Sequence, residues 1–274
     1  MVGLSNKKRL LRSGSRCFTR QNEPIQTGKV SSQETGTGSL TCPDYTTKML
    51  PRVIFFGGAY NTPMGKIIVI TGNTGIGKTT LARALSKPGA FDLALEQHIE
   101  RPFQALVKFD ARYGLANQVD YLLLRAEQER VLRQSPQPGL VDGGLDQDFH
   151  GFARLFHARG LLSDAEFDLC RRFYDFCRAE LPPPELIIHL TAHADVIRAR
   201  LAGRKRITLA TPEDIPLLAS LLDEWLASLP PERVLRLDVS SASPSYAEVV
   251  PGLLAQIRAR LGLDAGTYET GYIP

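Results

Sequence analysis

One short stretch limits what this chain can become. "KIIVITGNTGIGKTTLARAL" (66–85) runs from an apolar strand through a glycine-rich turn into a helical pattern. Gly72, Gly77, Lys78 and Thr79 stand in the order Gly-x-x-x-x-Gly-Lys-Thr. This pattern has meaning only where a strand ends and a helix begins. Glycines there let backbone N–H groups turn inward around phosphate oxygens. The helix N-terminus adds free donors and a favourable dipole. Lys78 then reaches the terminal phosphates, and Thr79 offers its hydroxyl to Mg²⁺. The whole loop (Gly72, Asn73, Thr74, Gly75, Ile76, Gly77, Lys78, Thr79 and Thr80) is the candidate cradle for ATP or another nucleoside triphosphate.

The sequence continues the same rhythm. Short apolar runs bounded by Gly, Pro or charge predict strands over 66–71, 91–95, 139–142, 186–190 and 234–239. Helical patterns lie between and around them, at 77–86, 102–112, 115–134, 146–159, 163–180, 193–203, 212–228 and 246–261. Ser163 followed by Glu166 is a capping-box start, and Pro182-Pro183-Pro184 stops that helix before the next strand. Strands alternating with helices predict an α/β fold, a five-stranded parallel sheet covered by helices on both faces.

Texture changes near Met64. Residues 1–60 are rich in Ser, Thr, Gly, Lys and Arg and show no sustained period. They read as a transit-type segment, a disordered tail, or a stretch upstream of a translation start at Met64. The abruptness of the break favours the last two. Residues 1–63 are thus expected to be a disordered or non-native extension, 64–263 a single domain, and 264–274 a tail. Net charge is only +4, too weak a basic balance to argue for nucleic acid. No apolar run approaches a membrane span. Cys17, Cys42, Cys170 and Cys177 form no C-x-x-C pair and read as free thiols of a cytoplasmic protein. Organellar import would require that residues 1–60 be a genuine transit segment.

The phosphate loop does not name an acceptor. Glu96 follows the second strand, at the end where open α/β sheets bind ligands. The reading places that strand beside the loop strand. A carboxylate there can take a proton from an attacking hydroxyl, though spacing alone suits a solvated surface residue as well. Gln118 and Arg125 are seven residues apart, so they point to one side of a helix. By themselves they are ordinary polar-face residues.

Together, however, the stretches "LEQHIERPF", "QVDYLLLRAEQ", "VDGGLDQDFHGFARLFHARGLLSD" and "RLAGRKR" resemble the deoxynucleoside kinase family, in register over about residues 64–262. The resemblance implies a P-loop kinase fold with an arginine-rich lid. It makes Glu96 the catalytic base and sets Arg101-Pro102 where the family has Asn-Pro. Gln118, Arg125 and Asp148 become the groups on the base edge. Asp142 becomes the acidic residue near Mg²⁺, acting through water, and Arg200, Arg204 and Arg206 become the lid. The loop after the last strand, from about 240, would border the adenine of ATP. A homodimer through helices such as 115–134 and 146–180 is also implied.

Two departures stand out. Gly143-Gly144 replace the family's Arg-Ser, and Leu209 replaces a glutamate that contacts the sugar. Arg101, Arg125 or a lid arginine is a candidate to take over the lost clamp, and Glu213 or Asp214 to take over the sugar contact.

The expected activity is transfer of the γ-phosphate of ATP to the 5′-hydroxyl of a deoxyribonucleoside. The departures keep two alternatives open. One is a kinase for another small acceptor such as a nucleoside monophosphate, with Arg101 and Arg112 as candidate extra cations. The other is a non-catalytic nucleotide-binding paralogue.

Overall fold

The computed structural model describes residues 64–89, 91–94, 101–203 and 209–263. All belong to the compact unit Ala59–Pro274. The expectations for residues 1–63 and 264–274, including Cys17 and Cys42, lie outside the described residues, as do Glu96, Arg204 and Arg206.

Five parallel strands form one sheet in the order β2-β3-β1-β4-β5. They are β1 (Ile67–Gly72), β2 (Asp92–Ala94), β3 (Gly139–Asp142), β4 (Leu186–Thr191) and β5 (Val234–Asp238). Every residue of β1 is buried, as a central strand covered on both faces must be. Side chains alternate between the faces. Ile68 and Ile70 join Leu140 and Ile188 in one core cluster, packed against α1 (Lys78–Gly89) and α9 (Val250–Leu261). Ile67 and Val69 join Val141 and Leu132 on the other face, beneath α3 (Gly114–Leu132). One expectation needs correction. β2 does not flank β1; β3 lies between them, so the segment after β2 starts one strand further from the phosphate loop.

Helix boundaries shifted where capping chemistry overrode periodicity. α2 (Pro102–Phe109) ends at Asp110, whose extended backbone and side chain cap a separate 3-10 turn at Ala111–Tyr113. The helix expected over 146–159 begins earlier, as α4 (Gly144–Gln147). It passes through a π-helical turn (Asp148–Ala153) and ends as α5 (Arg154–Ala158). Gly151 in that turn lets Leu218 and Leu222 of α8 (Ile215–Ala227) approach within 3.1 Å of where a Cβ would be. α6 (Asp164–Glu180) starts at the Ser163–Glu166 capping box, and α7 (Ala194–Ala202) follows β4. Cys170 and Cys177 are buried free thiols on α6, and burial pushes the Cys170 thiol up to about 11.

Candidate functional site

The carboxyl ends of β1 and β3 open onto one cavity, with about 1050 Å³ of empty space that is partly open to solvent. Its floor is the phosphate loop. Gly72, Gly75 and Gly77 all have positive φ, at 140°, 82° and 113°, a backbone that side chains resist. Lys78 Nζ donates to the carbonyls of Gly72 (2.9 Å) and Asn73 (3.0 Å), so the ammonium lies folded over its own loop. The Thr79 hydroxyl donates to Asp142. The two residues expected at Mg²⁺ are therefore in contact, brought together because Ile70 of β1 pairs with Asp142 of β3. A hydroxyl and a carboxylate are the hard oxygen donors Mg²⁺ accepts alongside nucleotide phosphates. Among the described residues, no group of three or more His, Cys, Asp or Glu could hold a metal without such help.

Not all of the loop faces the cavity. Ile76 is buried in the core, and the Asn73 amide donates to the Ile215 carbonyl (3.2 Å). Their side chains brace the loop, leaving Thr74, Gly75, Gly77, Lys78, Thr79 and Thr80 on the cavity wall. Three residues that sequence reasoning missed also hold the loop. Gln147 accepts from the Gly72 N–H (2.9 Å). Tyr246 has its hydroxyl at the Ile76 carbonyl (3.4 Å) and against Gly77. The β4–β5 side contributes Val239, whose carbonyl shares Arg200 with the loop. Arg200 donates to the Ile76 (2.7 Å) and Val239 (2.9 Å) carbonyls, tying the loop to the end of β5. No periodic signal marks Gln147 or Tyr246. Tyr246 is a buried residue at φ 56°, a conformation sequence patterns do not announce.

The opposite wall comes from α3 and the π turn. Gln118, Tyr121 and Arg125 share one face of α3, and Arg125 Nε donates to Asp148 at 2.8 Å in a pair only a few per cent exposed. Asn117 and Gln104 also line this wall, with Phe152 and Phe156 from the π turn and α5. Tyr121 lies between Gln118 and Arg125 on the same helical face, so the seven-residue spacing could have found it. α4 is anchored below the wall. The Arg178 guanidinium bonds Asp146 and Glu129, and the Tyr174 hydroxyl donates to Asp146 (2.8 Å). His150 contacts Tyr174 (3.1 Å) and stacks on Trp225; burial pushes its pKa down to about 4.

The two departures take definite form. Gly143 and Gly144 have φ of 95° and 82°. A Cβ on Gly143 would lie 3.1 Å from Arg125 Nη2, so among the described candidates Arg125 borders the vacated position. Arg101 instead forms a two-pronged pair with Asp120, and Arg112 pairs with Asp110 at the surface. Neither is among the described residues that line the cavity. Leu209 does line it, but Glu213 and Asp214 do not. Asp214 accepts from the Thr211 N–H and bonds Arg159 (3.1 Å), so its carboxylate is engaged away from the cavity.

Comparisons with known proteins agree with this fold. The family model for deoxynucleoside kinases matches residues 68–249. Deoxyadenosine kinase of Dictyostelium discoideum is 29% identical over 143 residues, 52% of this chain and 58% of that enzyme. Deoxyadenosine/deoxycytidine kinase of Bacillus subtilis is 23% identical over 150 residues, 54% of this chain and 69% of that enzyme. The chain thus spans less than two thirds of the first of these relatives. Deoxyadenosine kinase from M. mycoides, solved with bound dATP, superposes with a TM-score of 0.58 at 18% identity, covering 69% of this chain and 99% of that one. The same enzyme with products dCMP and a flexible dCDP gives 0.57 at 19%, covering 72% and 98%. These structures share the five-stranded P-loop kinase fold. With the family model matching well over half of its length, the chain belongs to the deoxynucleoside kinase family.

Proposed function

We propose that the protein is an ATP-dependent deoxynucleoside kinase, its catalytic domain spanning 64–263. The observation that carries this reading is one cavity with two chemically distinct walls. Lys78, Thr79 and Asp142 lie on one side; Gln118 and the buried Arg125–Asp148 pair lie on the other. The phosphate loop takes the nucleotide phosphates on its backbone N–H groups and on Lys78. The amide and the oriented guanidinium hold a base edge by paired hydrogen bonds. Glu96, assigned from its place after β2, accepts the 5′-hydroxyl proton. O5′ then bonds the γ-phosphorus, ADP leaves, and the product is a deoxynucleoside monophosphate. Mg²⁺ held at Thr79 and Asp142, through water, would offset charge on the phosphate oxygens. Arg200, with Arg204 and Arg206, is assigned to the lid that neutralises developing charge.

A homodimer is part of this reading. Leu123 and Val131 of α3 and Leu169 and Phe176 of α6 are exposed apolar residues on two helices that pack together. Exposed apolar residues on neighbouring helices fit a second copy of the chain. Two buried free thiols suit a reducing, cytoplasmic setting. No helix among the described residues is long and apolar enough to cross a membrane.

The test is phosphoryl transfer from ATP to the four deoxynucleosides, the ribonucleosides and the nucleoside monophosphates, with Glu96→Gln beside the wild type. Turnover of a deoxynucleoside that collapses in Glu96→Gln is expected. Turnover of a monophosphate alone, or ATP binding with no turnover, would replace this reading with one of the two alternatives.

A further inference from the structure

Two amides on the acceptor wall are unsatisfied. Asn117 and Gln118, neighbours near the start of α3, are 1% and 2% exposed, and both line the cavity. The Asn117 Oδ1 and Gln118 Oε1 carbonyls have no hydrogen-bond partner. A buried carbonyl without a donor bears the full penalty of its lost water, so native structures rarely keep one without a reason. Here two adjacent residues do so on the wall of one cavity. Further along the same helix, Arg125 is oriented by Asp148 (2.8 Å) and Gln128 (3.2 Å). Phe152 and Phe156 give the cavity an apolar surface suited to a flat ring.

We propose that Asn117 is a specificity-determining residue. With Gln118 it presents paired acceptor carbonyls to a ring bearing an exocyclic amino group, so the preferred acceptors are amino-bearing rather than oxo-bearing deoxynucleosides. This rests on the nucleoside-kinase reading and adds the class of base to it. An exocyclic amine has two hydrogens and can serve two carbonyls at once. An oxo group at the same ring position brings lone pairs against the carbonyls, and the ring N–H that accompanies it can serve only one of the two. A site built to bond a substrate N–H rejects the analogue lacking it steeply, because its own buried groups are then left without partners. Gln118 alone would serve one hydrogen; Asn117 supplies the second acceptor.

The experiment compares pairs of nucleosides that exchange amino for oxo at one ring position, the adjacent ring nitrogen gaining a proton with it. These are 2′-deoxyadenosine with 2′-deoxyinosine, and 5-methyl-2′-deoxycytidine with thymidine. Both binding by calorimetry and kcat/KM are measured on the full chain. The wild type should prefer the amino member of at least one pair by about 100-fold or more, chiefly through KM. Asn117→Leu should shrink that ratio at least tenfold, with ATP affinity and Tm unchanged. Asn117→Asp, which keeps the shape and the acceptors, should retain the preference and serves if the leucine variant fails to fold.

Equal use of both members would overturn the proposal. So would a preference for the oxo member, which would mean that the amides present N–H₂ to the ring, or a ratio unchanged in Asn117→Leu. Absence of turnover on every nucleoside would refute the kinase reading instead, and the calorimetric ratio would still judge the role of Asn117.

Discussion

Two glycine pairs sit at the carboxyl ends of adjacent parallel strands, and they do different things. Gly75 and Gly77 follow β1; Gly143 and Gly144 follow β3; all four have positive φ. The first pair bends a loop whose outer side is pressed by Leu201 and by the Tyr246 hydroxyl. Its N–H groups stay available for phosphate. The second pair turns the chain sharply into α4, with Arg125 against one glycine and Val69, 3.1 Å from a Cβ position, against the other. So an unusual backbone can mark either a ligand cradle or the absence of a side chain. What stands against the glycine tells the two apart. In the phosphate loop the neighbours support a ligand site. After β3 the neighbouring guanidinium borders the position, 3.1 Å from where a Cβ on Gly143 would begin.

The largest expected effect tests the loop side. Lys78→Ala should lower kcat/KM by on the order of 10³-fold, the scale of removing one group that neutralises the transferring phosphoryl. Tm should hardly change, since Lys78 is only partly buried; activity within tenfold of wild type would break the assignment.

Acidification comes next, because each region holds one histidine kept neutral by its surroundings, His189 buried and His150 half-buried. His189 bonds Thr71 of β1 (3.0 Å) and His150 lies within the π turn; burial lowers both to about 4 from the usual 6.5. Below about pH 6.5 the unfolded chain takes up protons that the native protein refuses until about pH 4. Stability is therefore present above that window and lost as pH falls through it, by up to about 1.4 kcal/mol per pH unit for each histidine. His150→Phe should remove about half of that slope in urea titrations at pH 7, 6 and 5. A slope left unchanged would show that the second region does not share the burden.

Gly143→Arg restores the family residue, yet the comparison predicts harm. Placing a side chain at φ 95° costs about 1–2 kcal/mol, before the approach to Arg125 is counted. Thermal denaturation should show the loss, and kcat/KM should fall. A gain in activity would mean that the turn can relax and that Arg125 was never the obstacle. The smallest effect is expected at Tyr246→Phe. Losing one neutral hydrogen bond is worth about 0.5–1.5 kcal/mol, so KM for ATP should rise about twofold to tenfold while kcat holds. A fall in kcat without a change in KM would place Tyr246 outside the loop's support.

Much of this protein is legible in one dimension. The phosphate loop is a local device: its glycines, lysine and threonine are contiguous, and strand and helix flank them in the chain itself. The same holds for the capping box at Ser163 and for the spacing of Gln118 and Arg125, because helical geometry converts sequence distance into a shared face. The strands were readable for the same reason: burial on both faces requires continuous apolar runs.

Contacts between distant segments were not readable. That β3 rather than β2 flanks β1 follows from strand pairing, which no single run of residues encodes. Arg101 looked free in the sequence but meets Asp120, and Asp214 looked available but caps its own helix. Gln147 and Tyr246 reach the phosphate loop across 75 and 170 residues of chain. The surroundings of Gly143-Gly144 belong to this second class. Sequence alone determined that two side chains were missing beside a carboxylate. Only the tertiary structure decided what borders the gap, because Arg125 arrives there from another helix, held by a carboxylate 23 residues away.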